Sequence, residues 1–300
     1  MKKVLVLMST YNGEKYFSAQ IESILTQKNV DVKLLIRDDG STDETINIIN
    51  IISAKYTNKI SVIIGQNLGY EKSFLELLLN AKDADFFAFA DQDDVWDSDK
   101  LLIAIEKLNK FQQAPALYYS NVRVTNAQLQ YSHELEDKGY DKKACKLLNS
   151  GAMGCTIVLN KSLLEILQKY HPQEKWPHDY WIMTVALYVG AVYYDPSSHM
   201  SYRQHAKNAT GGDIKLKHRL NKLIQGLKGY YKNRWSSLAF ELLNGFSEDI
   251  SPGDKLILEC FRDYQKNISY KINLLVRNNI TKNNLIKDFF LKLSILLNKA

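Results

Sequence analysis

Phe86-Phe87-Ala88-Phe89-Ala90-Asp91-Gln92-Asp93-Asp94 is the stretch on which the fold turns. Five apolar residues, the most apolar strand-like run in the chain, give way at once to acid. The same alternation recurs upstream. Val4–Met8 reads as a buried strand ending at Ser9-Thr10-Tyr11-Asn12, and Val32–Ile36 as a second ending at Arg37-Asp38-Asp39-Gly40-Ser41. Ile60–Ile64 is a third. Between them, Phe17, Ile21, Ile24 and Leu25 recur at helical spacing. Thr42 or Asp43 is placed to cap a second helix carrying Ile46, Ile49 and Ile52, and Phe74–Leu79 belongs to a third. Strand–helix alternation predicts an α/β protein with a mostly parallel sheet covered by helices. Such sheets bind ligands outside the carboxyl ends of their strands. All three polar clusters fall there.

The 300 residues are 45% hydrophobic and 24% charged, which excludes disordered, collagen-like and disulfide-scaffold chains. Cys145, Cys155 and Cys260 are odd in number and widely spaced, as in a reducing compartment. The five-residue apolar run after Lys2-Lys3 is too short for a secretory signal, whose core needs about 7–15 apolar residues. The longest uncharged stretch, Tyr180–Tyr194, falls short of the roughly 20 residues of a membrane span. A cytoplasmic protein is expected. Neither GxGxxG nor GxxxxGK[ST] occurs, which disfavours a dinucleotide fold and a P-loop.

Charge divides the chain. Residues 213–300 carry a net charge of +8, against −2 for residues 1–212. The strand signal also stops near 212, and 215–245 and 254–299 read as helices separated by Ser251-Pro252-Gly253. Two units are expected: a catalytic domain over 1–212 and a basic helical region over 213–300. In the last helix Leu285, Ile286, Phe289, Phe290, Leu293, Leu296 and Leu297 share a face. Basic regions meet anionic partners such as lipid headgroups, phosphoglycans or nucleic acid. A nucleic-acid binder leaves the acidic strand ends unexplained, since they would repel phosphate.

Four clusters carry chemistry. Asp91, Asp93 and Asp94 repel one another and call for a counter-charge; Mg²⁺ or Mn²⁺ supplies it through oxygen ligands. The alternative is a solvated acidic turn capping a helix that begins near Trp96. Asp38 and Asp39 are placed either to accept hydrogen bonds from a nucleobase or ribose, or to form a strand-to-helix turn with Gly40 left-handed. Asp179, after Trp176-Pro177-His178, is either a general base or an N-cap. Arg203 can fork onto a diphosphate and neutral His205 can ligate a metal, in a polar run through Asn208 and Gly211-Gly212; the alternative is a boundary loop.

The ordered set Ser-Thr-Tyr-Asn-Gly (9–13), Arg-Asp-Asp-Gly-Ser-Thr-Asp (37–43), Asp-Gln-Asp-Asp-Val-Trp (91–96), His-Asp-Tyr-Trp (178–181) and Tyr-Arg-Gln-His-x-x-Asn (202–208) resembles the family 2 glycosyltransferases of GT-A fold. The last two variants are most similar to bacterial rhamnosyltransferase-type members that build cell-wall and capsular polysaccharides. The resemblance covers residues 1–212. It implies an inverting, metal-dependent transfer of a sugar, L-rhamnose from dTDP-rhamnose, to a hydroxyl of a growing lipid-linked polysaccharide. A UDP-hexose or UDP-N-acetylhexosamine donor is the alternative.

Residue by residue, it implies that Thr10, Tyr11, Asn12 and Glu14 line the nucleotide pocket, and that Asp39 reads the base imide beside Arg37 and Asp38. Asp91 and Asp93 match the DxD pair, with Asp93 the direct ligand of Mg²⁺ or Mn²⁺ and Gln92 and Asp94 near the donor. Asp179 matches the catalytic base. Arg203 and His205 match positions closing over diphosphate and metal, and 203–212 a lid. Trp96, His178 and Trp181 are candidate sugar or acceptor contacts. Many relatives have Glu-Asp where this chain has His178-Asp179. The basic helices suit an acceptor on a polyprenyl diphosphate, with peripheral contact at the inner membrane face, or a second subunit in a homo-oligomer.

Overall fold

The computed structural model describes residues 1–135, 138–149, 151–205 and 233–299. Strands β1 (Lys2–Thr10), β2 (Val30–Asp38), β3 (Ile60–Ile64) and β4 (Phe86–Ala90) lie in the order β3-β2-β1-β4, all parallel. Helices α1 (Phe17–Leu25), α2 (Thr45–Lys55) and α3 (Tyr70–Asn80) make the connections. The apolar runs are uninterrupted because both sheet faces are covered. Val4, Val6 and Met8 enter one core with Ile21, Ile24 and Leu101, whereas Leu7, Phe87 and Phe89 enter the other with Phe74, Leu78 and Trp181.

Beyond β4 the sheet is mixed. β8 (Val158–Asn160) runs antiparallel to β4 and to β6 (Ala116–Thr125), and β9 (Ala191–Arg203) lies parallel to β6. β5 (Val95–Trp96) is antiparallel to β9, and β7 (Tyr131–Glu134) pairs with β6. Helices α4 (Lys100–Leu108), α5 (Lys161–Leu167) and α6 (His178–Val189) pack against these strands.

Two local expectations are corrected. Helix α2 begins at Thr45, because Asp43 spends its carboxylate on Thr45 N (3.0 Å), Thr45 Oγ1 and Glu14 N (3.2 Å) in the loop before it. The acidic turn also runs into a strand, not a helix: Val95 and Trp96 pair with Ser201 and Met200, and α4 starts only at Lys100.

The C-terminal region is helical: α7 (Arg234–Phe246), α8 (Pro252–Asp263), α9 (Ile268–Val276) and α10 (Leu285–Leu296). Ser251, Asn267 and Asn284 cap the last three, each accepting a backbone N–H of the first turn. Leu242, Phe246, Leu258, Phe261, Leu274, Leu291 and Ile295 share one apolar core with Trp181 and the helices of the sheet. The expected boundary at 212/213 and the helix start near 215 lie outside the described residues, as do Asn208, Gly211, Gly212 and most of the expected lid. Among the described residues no helix is long and apolar enough to cross a membrane. The three cysteines are free and buried.

Candidate active site

The strand ends meet at one rim. Register pairs Thr10 with Asp38 and Met8 with Ala90, which brings the loops after β1, β2 and β4 side by side. Gln92 locks them: its Oε1 accepts from Thr10 Oγ1 (2.6 Å) and Tyr11 N (2.9 Å), and its Nε2 donates to Tyr11 O (3.1 Å). Gly13 leaves room for this contact: a Cβ there would lie 2.3 Å from Gln92 Oε1 and would displace the Gln92 side chain. Asn12 donates its N–H to Ser41 Oγ (2.9 Å) and accepts from Thr42 N (2.8 Å), and Glu14 accepts from Glu44 N (3.1 Å). Thr10, Asn12, Glu14 and Gln92 thus tie these loops together, and Tyr11 stands exposed beside them.

Arg37, Asp38 and Asp39 are buried, and their side chains are bonded within the protein. Arg37 donates to Asp39, to Glu76 Oε2 (2.6 Å), to Ser73 Oγ (3.2 Å) and to Gln66 O (3.2 Å). Asp38 accepts from Gly40 N (3.1 Å), Ser41 N (2.8 Å) and Ser41 Oγ (2.6 Å), with Gly40 left-handed at φ 82° as expected. Asp39 accepts from Leu68 N (2.8 Å) and Gly69 N (2.9 Å) as well as from Arg37. This corrects the expected direct role in base recognition. Arg37 and Asp39 hold loop 65–69 against the strand end while Asp38 forms the turn through Gly40 and Ser41, because a buried charge must be paired and hydrogen-bonded.

The acidic turn divides into two groups. Asp93 Oδ2 lies 2.8 Å from His205 Nε2, on one side. Arg203 lies over them: its Nε donates to Asp93 O (2.7 Å), its Nη1 to Ala127 O (2.7 Å), and its guanidinium stacks 4.5 Å from the Tyr16 ring. His205 packs on the same ring at 4.8 Å. On the other side Asp91, Asp94 and the Cys155 thiol offer ligand atoms within 4.8 Å of one another. Asp94 Oδ1 accepts from Arg203 N (3.1 Å), whereas its buried Oδ2 has no hydrogen-bond partner.

Lys100 lies buried beneath this group, donating to Cys155 O (2.6 Å) with its Nζ 3.5 Å from the Trp96 ring. Desolvation pushes Asp91 up to about 7, with Asp93 and Asp179 adding to the effect, and raises Asp94 well above the usual carboxylate range. Desolvation lowers Lys100 to about 7. The orphaned Asp94 oxygen and the crowded, desolvated carboxylates fit a divalent cation, for which Asp91 and Asp94 lie together as oxygen donors, whereas Asp93 and His205, also expected as ligands, bond each other on the other side of the turn. Cys155, a soft ligand, suits Mg²⁺ or Mn²⁺ poorly.

Asp179 opens α6, and its Oδ1 accepts from Tyr180 N (2.7 Å). Desolvation raises its pKa, and its charge adds to the upward shift of Asp91. Tyr70, the first residue of α3, is 43% exposed, and its phenol is pushed up to about 12 by desolvation, by Glu71 and then by Asp179 and Asp91.

His178, Trp96 and Trp181 are corrected. All three are buried: His178 stacks on Phe74 at 3.9 Å, Trp181 packs on Tyr170 and Phe246, and Trp96 lies under Lys100. Burial lowers His178 to about 3, so the imidazole is neutral at physiological pH. An apolar core claims large rings before a water-facing cleft can. The accessible aromatics at the rim are Tyr11 and Tyr70 instead. Lys100, Cys155 and Tyr70 were not read from the sequence. Lys100 had one signal, a lone charge opening the apolar run Leu101-Leu102-Ile103; Cys155 and Tyr70 had none.

Comparison with known proteins follows this geometry. The family model described as glycosyl transferase family 2 matches residues 5–167. The chain is 30% identical over 249 residues to dTDP-rhamnosyl transferase RfbG of Shigella flexneri, covering 76% of this chain and 80% of that protein. It is 28% identical over 165 residues to the Escherichia coli UDP-Glc:alpha-D-GlcNAc-diphosphoundecaprenol beta-1,3-glucosyltransferase WfgD, covering 54% of this chain and 61% of that one. Among solved structures, S. aureus TarS 1-349 superposes with TM-score 0.54 at 18% identity, covering 99% of this chain and 80% of that one. The same protein in complex with UDP-GlcNAc gives 0.51 at 17%, covering 99% and 92%. These two likenesses support the fold. Strand-end carboxylates on a GT-A-like sheet, matched by the family model over more than half of its length, make this chain a member of glycosyl transferase family 2.

Proposed function

We propose that the chain transfers L-rhamnose from dTDP-rhamnose to a hydroxyl of a growing, lipid-linked cell-surface polysaccharide in one inverting displacement. The observation that carries the transferase chemistry is the acidic turn Asp91–Asp94 at the end of β4, with Arg203 and His205 packed over Asp93 and with Asp179 near enough for its charge to raise Asp91 further. The rhamnose donor is supported by the likeness to the Shigella protein. The lipid-linked acceptor is supported by the likeness to the glucosyltransferase whose name specifies a diphosphoundecaprenol acceptor.

An alcohol is a weak nucleophile at neutral pH. Asp179 removes the acceptor proton as the new glycosidic bond forms, and general-base help of this kind contributes about 10²–10⁴-fold. The nucleoside diphosphate leaves from the opposite face of the anomeric carbon, with inversion. Its growing charge is met by Arg203, whose guanidinium is held in place by Asp93 O, Ala127 O and the Tyr16 ring. A divalent cation, which Asp91 and Asp94 would hold with Asp93 and His205 beside them, would supply further positive charge for the diphosphate. Lys100 keeps the acidic turn from carrying its full repulsion.

A second reading keeps the fold and mechanism with a UDP-hexose or UDP-N-acetylhexosamine donor. It is favoured by the UDP-glucose named for the E. coli relative and by the UDP-GlcNAc complex of TarS. Calorimetry with dTDP-rhamnose, UDP-glucose, UDP-galactose and UDP-N-acetylglucosamine, with Mn²⁺ or with chelator, separates the two. Selective, cation-dependent binding of dTDP-rhamnose, weakened in Asp93→Ala, is the expected result. Selective binding of a UDP-sugar replaces the donor, and equal affinity with chelator removes the metal.

A further inference from the structure

The last two helices are held by the wrong side for an ordinary amphipathic pair. Helix α10 packs inward through Leu291 and Ile295, both buried. Its other apolar residues form the face read from the sequence: Leu285, Ile286, Phe289, Phe290, Leu293, Leu296 and Leu297. At about 100° per residue they span an arc of about 140°, centred nearly opposite the Leu291–Ile295 line. Leu285 is 90% exposed and Phe289 64%, and Ile286, Leu296 and Leu297 are exposed as well. This apolar face looks mostly to water.

Helix α9 repeats the arrangement. Leu274 is buried, whereas Ile268 (72% exposed), Ile272 and Val276 form an outward row at i, i+4 and i+8. Lys271 Nζ donates to Asn298 Oδ1 (3.0 Å), tying the start of α9 to the end of α10. Two helices joined in this way, each with a row of exposed large apolar residues, mark an interaction site.

The charges select the partner. Lys287 and Lys292 flank the apolar arc of α10 on its two sides and are exposed. The one acid of that helix, Asp288, accepts hydrogen bonds from Thr281 Oγ1 and Lys282 N and is thereby turned to the preceding loop. Residues 233–299 carry 10 Lys and Arg against 7 Asp and Glu, a net +3. We propose that the outward faces of α9 and α10 form an in-plane docking surface for an anionic lipid bilayer, with the apolar rows entering the headgroup boundary and the lysines meeting lipid phosphates. A second copy of this chain is a poorer occupant, because a self-complementary contact would bring Lys287 and Lys292 against the same lysines. This deepens the lipid-linked acceptor reading and rests on it for its purpose only: docking would hold the cleft at the surface where such an acceptor resides.

The test is co-sedimentation of the full chain with vesicles of phosphatidylcholine alone or of phosphatidylcholine with phosphatidylglycerol. Binding to the anionic vesicles, weak on the neutral ones and falling with salt, is the expected result. The double change Ile286→Gln and Phe289→Gln lowers the partition coefficient by about 100-fold or more. Lys287→Gln with Lys292→Gln lowers it about 30-fold, at about fivefold per lysine. These residues are exposed, so both variants keep the fold and bind donor as the unaltered chain does. Absence of sedimentation with anionic vesicles overturns the proposal. So does a dimer in sedimentation velocity that Phe289→Gln dissociates while vesicle binding is nil, which assigns the face to a second copy. The readout needs no sugar chemistry, so its failure leaves the donor reading standing, and failure of every donor leaves the docking surface standing.

Discussion

Asp179→Asn isolates the proposed base. The side chain keeps its shape, and Oδ1 still accepts from Tyr180 N, the 2.7 Å bond that fixes it in the first turn of α6. Positioning is therefore retained and only proton acceptance is lost. The expected fall in kcat is about 10²–10⁴-fold, or roughly 2.7–5.5 kcal/mol in the activation barrier. Donor affinity should change little, because the proposed base acts on the acceptor hydroxyl and not on the donor. The pH profile carries a second signature. Desolvation holds the folded pKa of Asp179 above its ordinary value of 3.8, and only the ionised form acts. Activity of the unaltered chain thus falls as pH drops through that raised pKa, and this acidic limb should vanish in the variant's residual rate. Stability gives an independent sign check. A carboxyl whose folded pKa is raised binds its proton more tightly folded than unfolded, so its ionisation weakens the fold as pH rises through that range. At neutral pH the amide should therefore raise the melting temperature or leave it unchanged. The assay is transfer of radiolabelled sugar from the donor identified by calorimetry, with calorimetric donor binding in parallel. A kcat within threefold of the unaltered chain, with the acidic limb intact, would refute the assignment.

Other consequences are as direct. Asp91 is raised to about 7, so its ionisation costs stability between about pH 4 and 7. In the metal-free protein Asp91→Asn should melt higher than the unaltered chain at pH 8 and match it near pH 4; equal melting at both pH values counts against a desolvated carboxylate. Arg37→Leu strands Asp39 without its guanidinium and should cost about 3–5 kcal/mol, measured by chemical denaturation. A loss under 1 kcal/mol would instead mean that the pair is solvated. Tyr70→Ala should raise the acceptor KM about tenfold, as loss of a sugar platform worth about 1.4 kcal/mol, and leave donor binding unchanged. Tyr70→Phe should restore most of it, and equal effects of the two variants would transfer the role from the ring to the hydroxyl.

The first four strands were legible because a parallel sheet covered on both faces requires unbroken apolar runs. Ile60–Ile64 and Phe86–Ala90 emerge with the ends read from the sequence, and β1 and β2 extend two residues further at each end, all polar but Val30. The site was legible as a set of strand-end clusters for the same reason: polar residues begin where the apolar layers stop. Beyond β4 the signal weakens. β8 and β5 are three and two residues long, and no periodicity survives in so short a piece. Trp96 was therefore read as close to a helix start, though its pairing with Met200 makes it strand.

That pairing shows where sequence ends and tertiary structure begins. Residue order alone established the chemistry on offer: carboxylates at strand ends, an Asp opening α6, an Arg and a His after β9, and a basic, helical C-terminal third. It also carried the family resemblance. Which of these groups meet was decided by packing. The antiparallel contact of β5 with β9, across more than a hundred residues of chain, brings Arg203 and His205 onto Asp93. Burial then sorted the side chains in ways no local pattern encodes. It consumed Arg37 and Asp39 in an internal ion pair, took Trp96, His178 and Trp181 into the core, and set Lys100 beneath the acids. Helix α10 shows the same division: its periodicity revealed an apolar face, but only the packing of Leu291 and Ile295 determined that this face looks outward. Spacing along a chain fixes which residues share a side of one element, whereas the partner that side meets depends on long-range contacts whose free energy belongs to the whole fold.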